Sequence, residues 1–323
     1  AGRLFCWSPG DPPSRGETSP LYCILLATGY LVGFRDHWIM AFAFGLNVMA
    51  VGAGMLLLYH MLTRRLGWVC GLLSVAAIVV SGPMVYAVCC GMETGLACGL
   101  TACTVWALDR AASSRPPDTG RLARYVICAS ALPLVRPEMI LVVAVFSLCL
   151  AVTLVRRQAG IARVLSCLCA PAIPFACVLA LQWFVTGRPL MASLDVHSVW
   201  KSPIHTFGGK WIWFTDNLSQ AFFALHIEVF GALAWPAELV VAIVLCFSVA
   251  GIVRRRDWLT PGMSLVAAVV HLVFLCGQRS LFQLSHARYF QPTIVLLGVP
   301  LAYGVYVAAL SFDWLRRNAA WRR

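Results

Sequence analysis

Three ionisable side chains stand inside otherwise apolar sequence: Glu93 in CCGMETGL, and Arg136 with Glu138 in LPLVRPEMILV. Placing such a group at membrane depth costs about 3 kcal/mol unless it is paired or wet, so residues kept there are read first as functional. The competing reading is structural, with Glu138 capping the first turn of a helix that opens at Pro137. Arg288-Tyr289 in SHARYFQPTIVLL, near Arg279 and His286, makes a second cationic centre ahead of an apolar run. Two arginine centres on one face would hold an anion, whereas Arg288 alone would snorkel to lipid headgroups. Lys201 and His197 in DVHSVWKSP could add phosphate or sugar contacts. Trp200, Trp211 and Trp213 would stack on a sugar face or form an interfacial aromatic belt.

The elements that must position these groups are membrane helices. Of 323 residues, 60% are hydrophobic and only 12% charged, with mean hydropathy +0.81, which excludes an ordinary soluble domain. Apolar runs fall near 21–34, 38–62, 68–90, 93–109, 122–135, 139–155, 164–185, 236–253, 259–276 and 289–311. The first is too short to cross comfortably. With the other nine crossing, Arg64 and Arg65, Arg110, Arg115, Arg121 and Arg124, Arg156, Arg157 and Arg163, Arg254 to Arg256, and Arg316, Arg317, Arg322 and Arg323 share one side. These are 16 of the 25 basic residues. Such a bias marks the cytoplasmic side and accounts for the net charge of +12 without nucleic acid.

The expected fold class is therefore all-α, a polytopic transmembrane bundle of about nine spans forming one domain over residues 1–323. Residues 1–37 would form an extracytoplasmic segment with an interfacial helix, and 186–235 an extracytoplasmic loop with another. The site residues all face that outer side. Asn217-Leu-Ser219 is a bare glycosylation sequon in the second segment. The 14 cysteines read as small packing residues, with no CxxC pair and no histidine at ligand spacing. No metal ligands are assigned. The opening residues lack a basic stretch followed by an apolar one, so they do not read as a signal peptide.

Five segments, WSPGDPPSRGETSPLY, GPMVYAVCCGMETGL, LPLVRPEMI, WFVTGRPLMAS and ARYFQP, follow in order over nearly the whole chain. In order and spacing they resemble motifs of the GT-C superfamily of membrane glycosyltransferases. The likeness is to bacterial members similar to the mycobacterial terminal arabinofuranosyltransferase and the protein mannosyltransferases. The resemblance implies an extracytoplasmic cavity where a polyprenyl-phosphate-linked sugar meets a glycan, lipid or protein acceptor, in the bacterial inner membrane. It also implies a catalytic acid in an outer loop that would lie upstream of Ala1, the chain being an N-terminal truncation. Where the family reads Gly-Tyr-Thr-Ser-Pro-Leu, Glu17 replaces the tyrosine.

A sugar leaving a phosphate builds positive charge at its anomeric carbon while the phosphate gains negative charge, so fixed cations should face the phosphate. Arg136, Arg288 and Lys201 are the expected donor-phosphate contacts. Glu17, Glu93, Glu138, His197 and Tyr289 would line the site. The departing phosphate is a stable anion, so one base suffices, and Glu93 or Glu138 is the fallback should no upstream acid exist. A divalent metal is compatible with such chemistry but finds no acidic cluster in the chain. Two other readings explain the charges: a multi-span transporter or lipid flippase, and an inactive truncated relative.

Overall fold

The computed structural model describes residues 19–114, 117–187, 206–230, 237–255, 257–277 and 290–320. The described residues are helices joined by short turns, with no strand among them. In chain order these are α1 (Pro20–Val32), α2 (Trp38–Leu66), α3 (Trp68–Val79), α4 (Gly82–Cys89), α5 (Thr94–Ser113), α6 (Thr119–Val135) and α7 (Met139–Arg156). There follow α8 (Ile161–Cys169), a 3-10 turn (Ala170–Ala172), α9 (Ile173–Thr186), α10 (Phe207–Phe230), α11 (Ala237–Arg255), α12 (Thr260–Cys276) and α13 (Gln291–Ala320). Among the described residues, each apolar run read from the sequence is helical, the one at 68–90 with a break.

Among the described residues, four stretches are long and apolar enough to cross a membrane: Trp38–Leu66, Met139–Arg156, Ile161–Val185 and Gln291–Ser311. A fifth, α3 with α4, is bent by 60°. The bend divides the run expected as one span at 68–90. Its cause is local: Ser81 is extended at φ −65° and ψ 139°, and Pro83 in the first turn of α4 cannot continue the preceding helix. Helix α1, at 13 residues, reaches about 20 Å, too short for a hydrocarbon core of roughly 30 Å.

Helix α5 falls short on apolarity for a reason that composition hides. It is the central helix, with 15 of its 20 residues buried against α2, α6, α7 and α13, so its side chains answer to protein neighbours rather than lipid. Thr101 and Thr104 donate to the carbonyls of Ala97 and Leu100 at 2.7 Å, which satisfies both hydroxyls within the helix. Its contact with α2 is a glycine seam. A Cβ on Gly99 would lie 2.2 Å from the Ala50 carbonyl oxygen, and one on Gly54 would lie 2.6 Å from that of Gly99. The two backbones therefore touch directly, with α2 and α5 running the same way.

The main apolar core gathers Leu58, Leu62, Leu108, Tyr125, Phe146 and Val299 between two polar layers. One layer surrounds Arg136, where α1, α4, α6 and α12 have an end and α5 and α7 begin. The other surrounds Arg65 at the opposite end of α2.

Candidate functional site

Two turns lie side by side at the Arg136 end. The first, between α4 and α5, bends at Gly91, whose φ of +65° suits glycine. It is pinned from two directions: the Tyr22 hydroxyl donates to the Gly91 carbonyl at 2.8 Å, and the Asn47 amide donates to the Met92 carbonyl at 2.8 Å. The Asn47 oxygen then accepts from the Leu96 N–H at 3.0 Å, capping the start of α5 from a neighbouring helix. Glu93, the N-cap residue of α5, is thereby released from capping its own helix. The second turn joins α6 to α7 through Arg136, Pro137 and Glu138, and the Ser19 hydroxyl donates to the carbonyl of Val135 beside it.

Arg136 is only 2% exposed, and its guanidinium bridges the two turns. Nη1 donates to Glu138 Oε1 at 3.1 Å, while Nη2 donates to Glu93 Oε1 at 3.0 Å and to Thr94 Oγ1 at 3.4 Å. The three embedded charges thus form a single cluster. Glu138 makes no capping bond to α7, so the ion pair, and not the cap, is what its carboxylate does. One cation between two carboxylates leaves the triad with one negative charge in excess. The two glutamates converge on a guanidinium and so do not form a cradle for a divalent cation; among the described residues no group of three or more acidic, His or Cys side chains has metal-holding geometry.

Helix α12 packs on α7 and carries fully buried His271. His271 Nδ1 and Thr293 Oγ1 of α13 share a hydrogen bond of 2.8 Å. Among the described residues, His271 Nε2 and the amide of fully buried Gln291 have no partner, an uncommon condition for buried polar groups. Sequence reasoning passed over Asn47, His271, Thr293 and Gln291. For the first two the signal was there: an amide in GLNVMA and an imidazole in VVHLVF sit within apolar helices as surely as Glu93 does.

Glu17, His197, Lys201, Arg288 and Tyr289 lie outside the described residues, as does Trp200. Trp211 is exposed on α10 and Trp213 half-buried. Asn217 of the sequon points inward, 5% exposed, and its amide donates to the Cys276 carbonyl at 2.9 Å, so it does not present an accessible glycosylation amide.

This arrangement of helices around a polar layer has a counterpart among solved structures. The fold is similar to that of ArnT. The crystal structure in question is ArnT from Cupriavidus metallidurans bound to undecaprenyl phosphate, with a TM-score of 0.58 and 17% sequence identity. The match covers 92% of this chain and 51% of ArnT, so the chain spans about half the length of ArnT. At this identity the likeness speaks for the fold alone: an all-α membrane architecture similar to that of ArnT. No protein-family model matches the chain, and no curated protein does.

Proposed function

We propose that the chain belongs to a membrane glycosyltransferase that moves a sugar from a polyprenyl-phosphate donor to a glycan, lipid or protein acceptor outside the cytoplasm. The observation that carries this reading is a buried guanidinium held by two glutamates in a fold similar to that of ArnT, whose solved structure holds a polyprenyl phosphate. The arginine bias supports a cytoplasmic Arg65 end and an extracytoplasmic Arg136 end in a bacterial inner membrane. On this reading α1, too short to cross, and α10, with Trp211 exposed, lie in the outer interface.

In the reaction the bond from the anomeric carbon to the phosphate oxygen breaks as the acceptor oxygen bonds to that carbon. The acceptor proton passes to a carboxylate, and polyprenyl phosphate departs as the anion. Arg288 and Lys201 are the cations that the sequence offers to that anion. Arg136 contributes to the same field but acts first on its own glutamates, which it orients through the two ion pairs. Glu93, at 14% side-chain exposure, is the more accessible proton acceptor of the two.

Purified chain in lipid, supplied with polyprenyl-phosphate arabinose or mannose and an envelope extract as acceptor, should release polyprenyl phosphate. Arg136→Ala and Arg288→Ala should each remove that release. Full activity in both variants sinks the proposal, and movement of intact donor across a vesicle without sugar transfer would favour a flippase instead.

A further inference from the structure

Arginines at the Arg65 end fall into two sets. Arg65 turns inward between Asp109 and Asp257, and Arg255 donates to the Arg65 carbonyl at 2.6 Å while its guanidinium carbon sits 4.5 Å from the Tyr306 ring centroid. Two cations and two carboxylates leave that set balanced. The second set is not. Arg64, one residue earlier, is exposed at the end of α2, and the charges of Arg64, Arg121 and Arg124 all bear on Arg110 of α5. Asp118 pairs with Arg121 at 3.1 Å, and Asp109, which also bears on Arg110, is engaged by Arg65 and Thr260. Among the described residues no carboxylate forms an ion pair with Arg64, Arg110 or Arg124.

Topology alone does not ask for this. Arginines that orient a membrane protein need only lie near the helix ends, whereas four gathered at one end from three helices repel one another and favour an anion beside them. The chemistry below the ridge indicates which anion. One turn deeper, the Arg110 guanidinium lies 5.9 Å from the Trp106 ring centroid, and its Nη2 lies 3.4 Å from His60 Nε2. Another turn deeper on the same stripe of α2, Leu56 is exposed. From Leu56 through His60 to Arg64 the surface passes from apolar to polar to cationic over two helical turns, the profile of a phospholipid from acyl chain through glycerol to phosphate.

We propose that this ridge, Arg64, Arg110, Arg121 and Arg124 over His60 and Trp106, seats the headgroup of an anionic phospholipid of the adjoining leaflet, with an acyl chain along Leu56. The inference is independent of the catalytic reading. It is tested by native mass spectrometry of the purified full chain in neutral detergent titrated with cardiolipin. Wild type should retain cardiolipin, and Arg64→Gln with Arg110→Gln should bind it about tenfold to thirtyfold more weakly, at roughly 1 kcal/mol per arginine. Arg64→Lys with Arg110→Lys should keep most of the binding. Should the double variant fail to fold, Arg124→Gln serves, since that exposed side chain bonds only to its own helix at Gly120, and a loss of about threefold to tenfold is expected. Unchanged retention in these variants, an equal loss in Arg163→Gln on α8, or displacement by soluble pyrophosphate as readily as by lipid would each overturn the proposal.

Discussion

Two guanidinium groups, each gripped by two carboxylates, stand at opposite ends of the bundle, and α5 supplies one carboxylate to each: Glu93 at its start and Asp109 near its end. Their settings differ in sign. At the Arg136 end every charge agrees with the helix it terminates: Glu93 and Glu138 are N-cap residues and Arg136 is a C-cap residue, so the backbone dipoles favour all three. At the Arg65 end Asp109 lies in the last turns of α5, where the dipole opposes a carboxylate, and it needs Arg65 together with the Thr260 hydroxyl at 3.0 Å. Burial differs as well: the Arg136 side chain is 2% exposed and that of Arg65 21%. A cluster that is nearly dry and aligned with its helices suits chemistry on a bound ligand; one that is partly wet and opposed by a helix suits a clasp.

Experiments can break this contrast. The largest effect should come from Arg136→Ala, which leaves two nearly buried carboxylates facing each other; a loss of about 3–5 kcal/mol is expected in denaturant unfolding monitored by tryptophan fluorescence. Arg65→Ala should cost less, about 1–3 kcal/mol, because water reaches that cluster, and sugar transfer per folded molecule should stay at the wild-type level. Equal losses in the two variants would show that burial does not rank them. Asn47→Ala removes partners from the Leu96 N–H and the Met92 carbonyl, so about 1–2 kcal/mol is expected, together with slower transfer because the Glu93 turn loosens. The smallest effect should be Tyr303→Phe, which deletes a hydroxyl bond to Asp257; a change of about 1 kcal/mol or less and unaltered transfer would fit the clasp.

How much of this could be read from the residues follows from the range of the forces involved. Helices, and the need of Glu93, Arg136 and Glu138 for partners, were legible because an apolar run must close its own hydrogen bonds and a charge inside one must be paired or wet; that the three partner one another is seen only in the fold. The break at Ser81 was spelled out by Ser-Gly-Pro but hidden by the unbroken apolarity around it. The Arg65 cluster was not legible: Arg65, Asp109 and Asp257 each adjoin a loop where solvation explains a charge, and only packing brings together residues 44 and 192 positions apart. Lipid exposure has the same character. The nine crossings expected from composition rest on α5, α6, α11 and α12 as much as on the longer apolar helices, and the polar content of α5 becomes intelligible only once its neighbours are in place.

The seam at Gly54 and Gly99 carries a consequence for how such a protein can change over time. Most tight contacts in a core can be relieved by shrinking the other side, so a bulky substitution finds a second-site partner. Here the opposing atoms are the carbonyl groups of Ala50 and Gly99 itself, and a peptide bond has no smaller variant. A methyl gained at position 99 must push α2 away bodily, drawing Asn47 off the Glu93 turn at one end and Arg65 off Asp109 at the other. Suppressor screens against Gly99→Ala should therefore return the glycine rather than a compensating change.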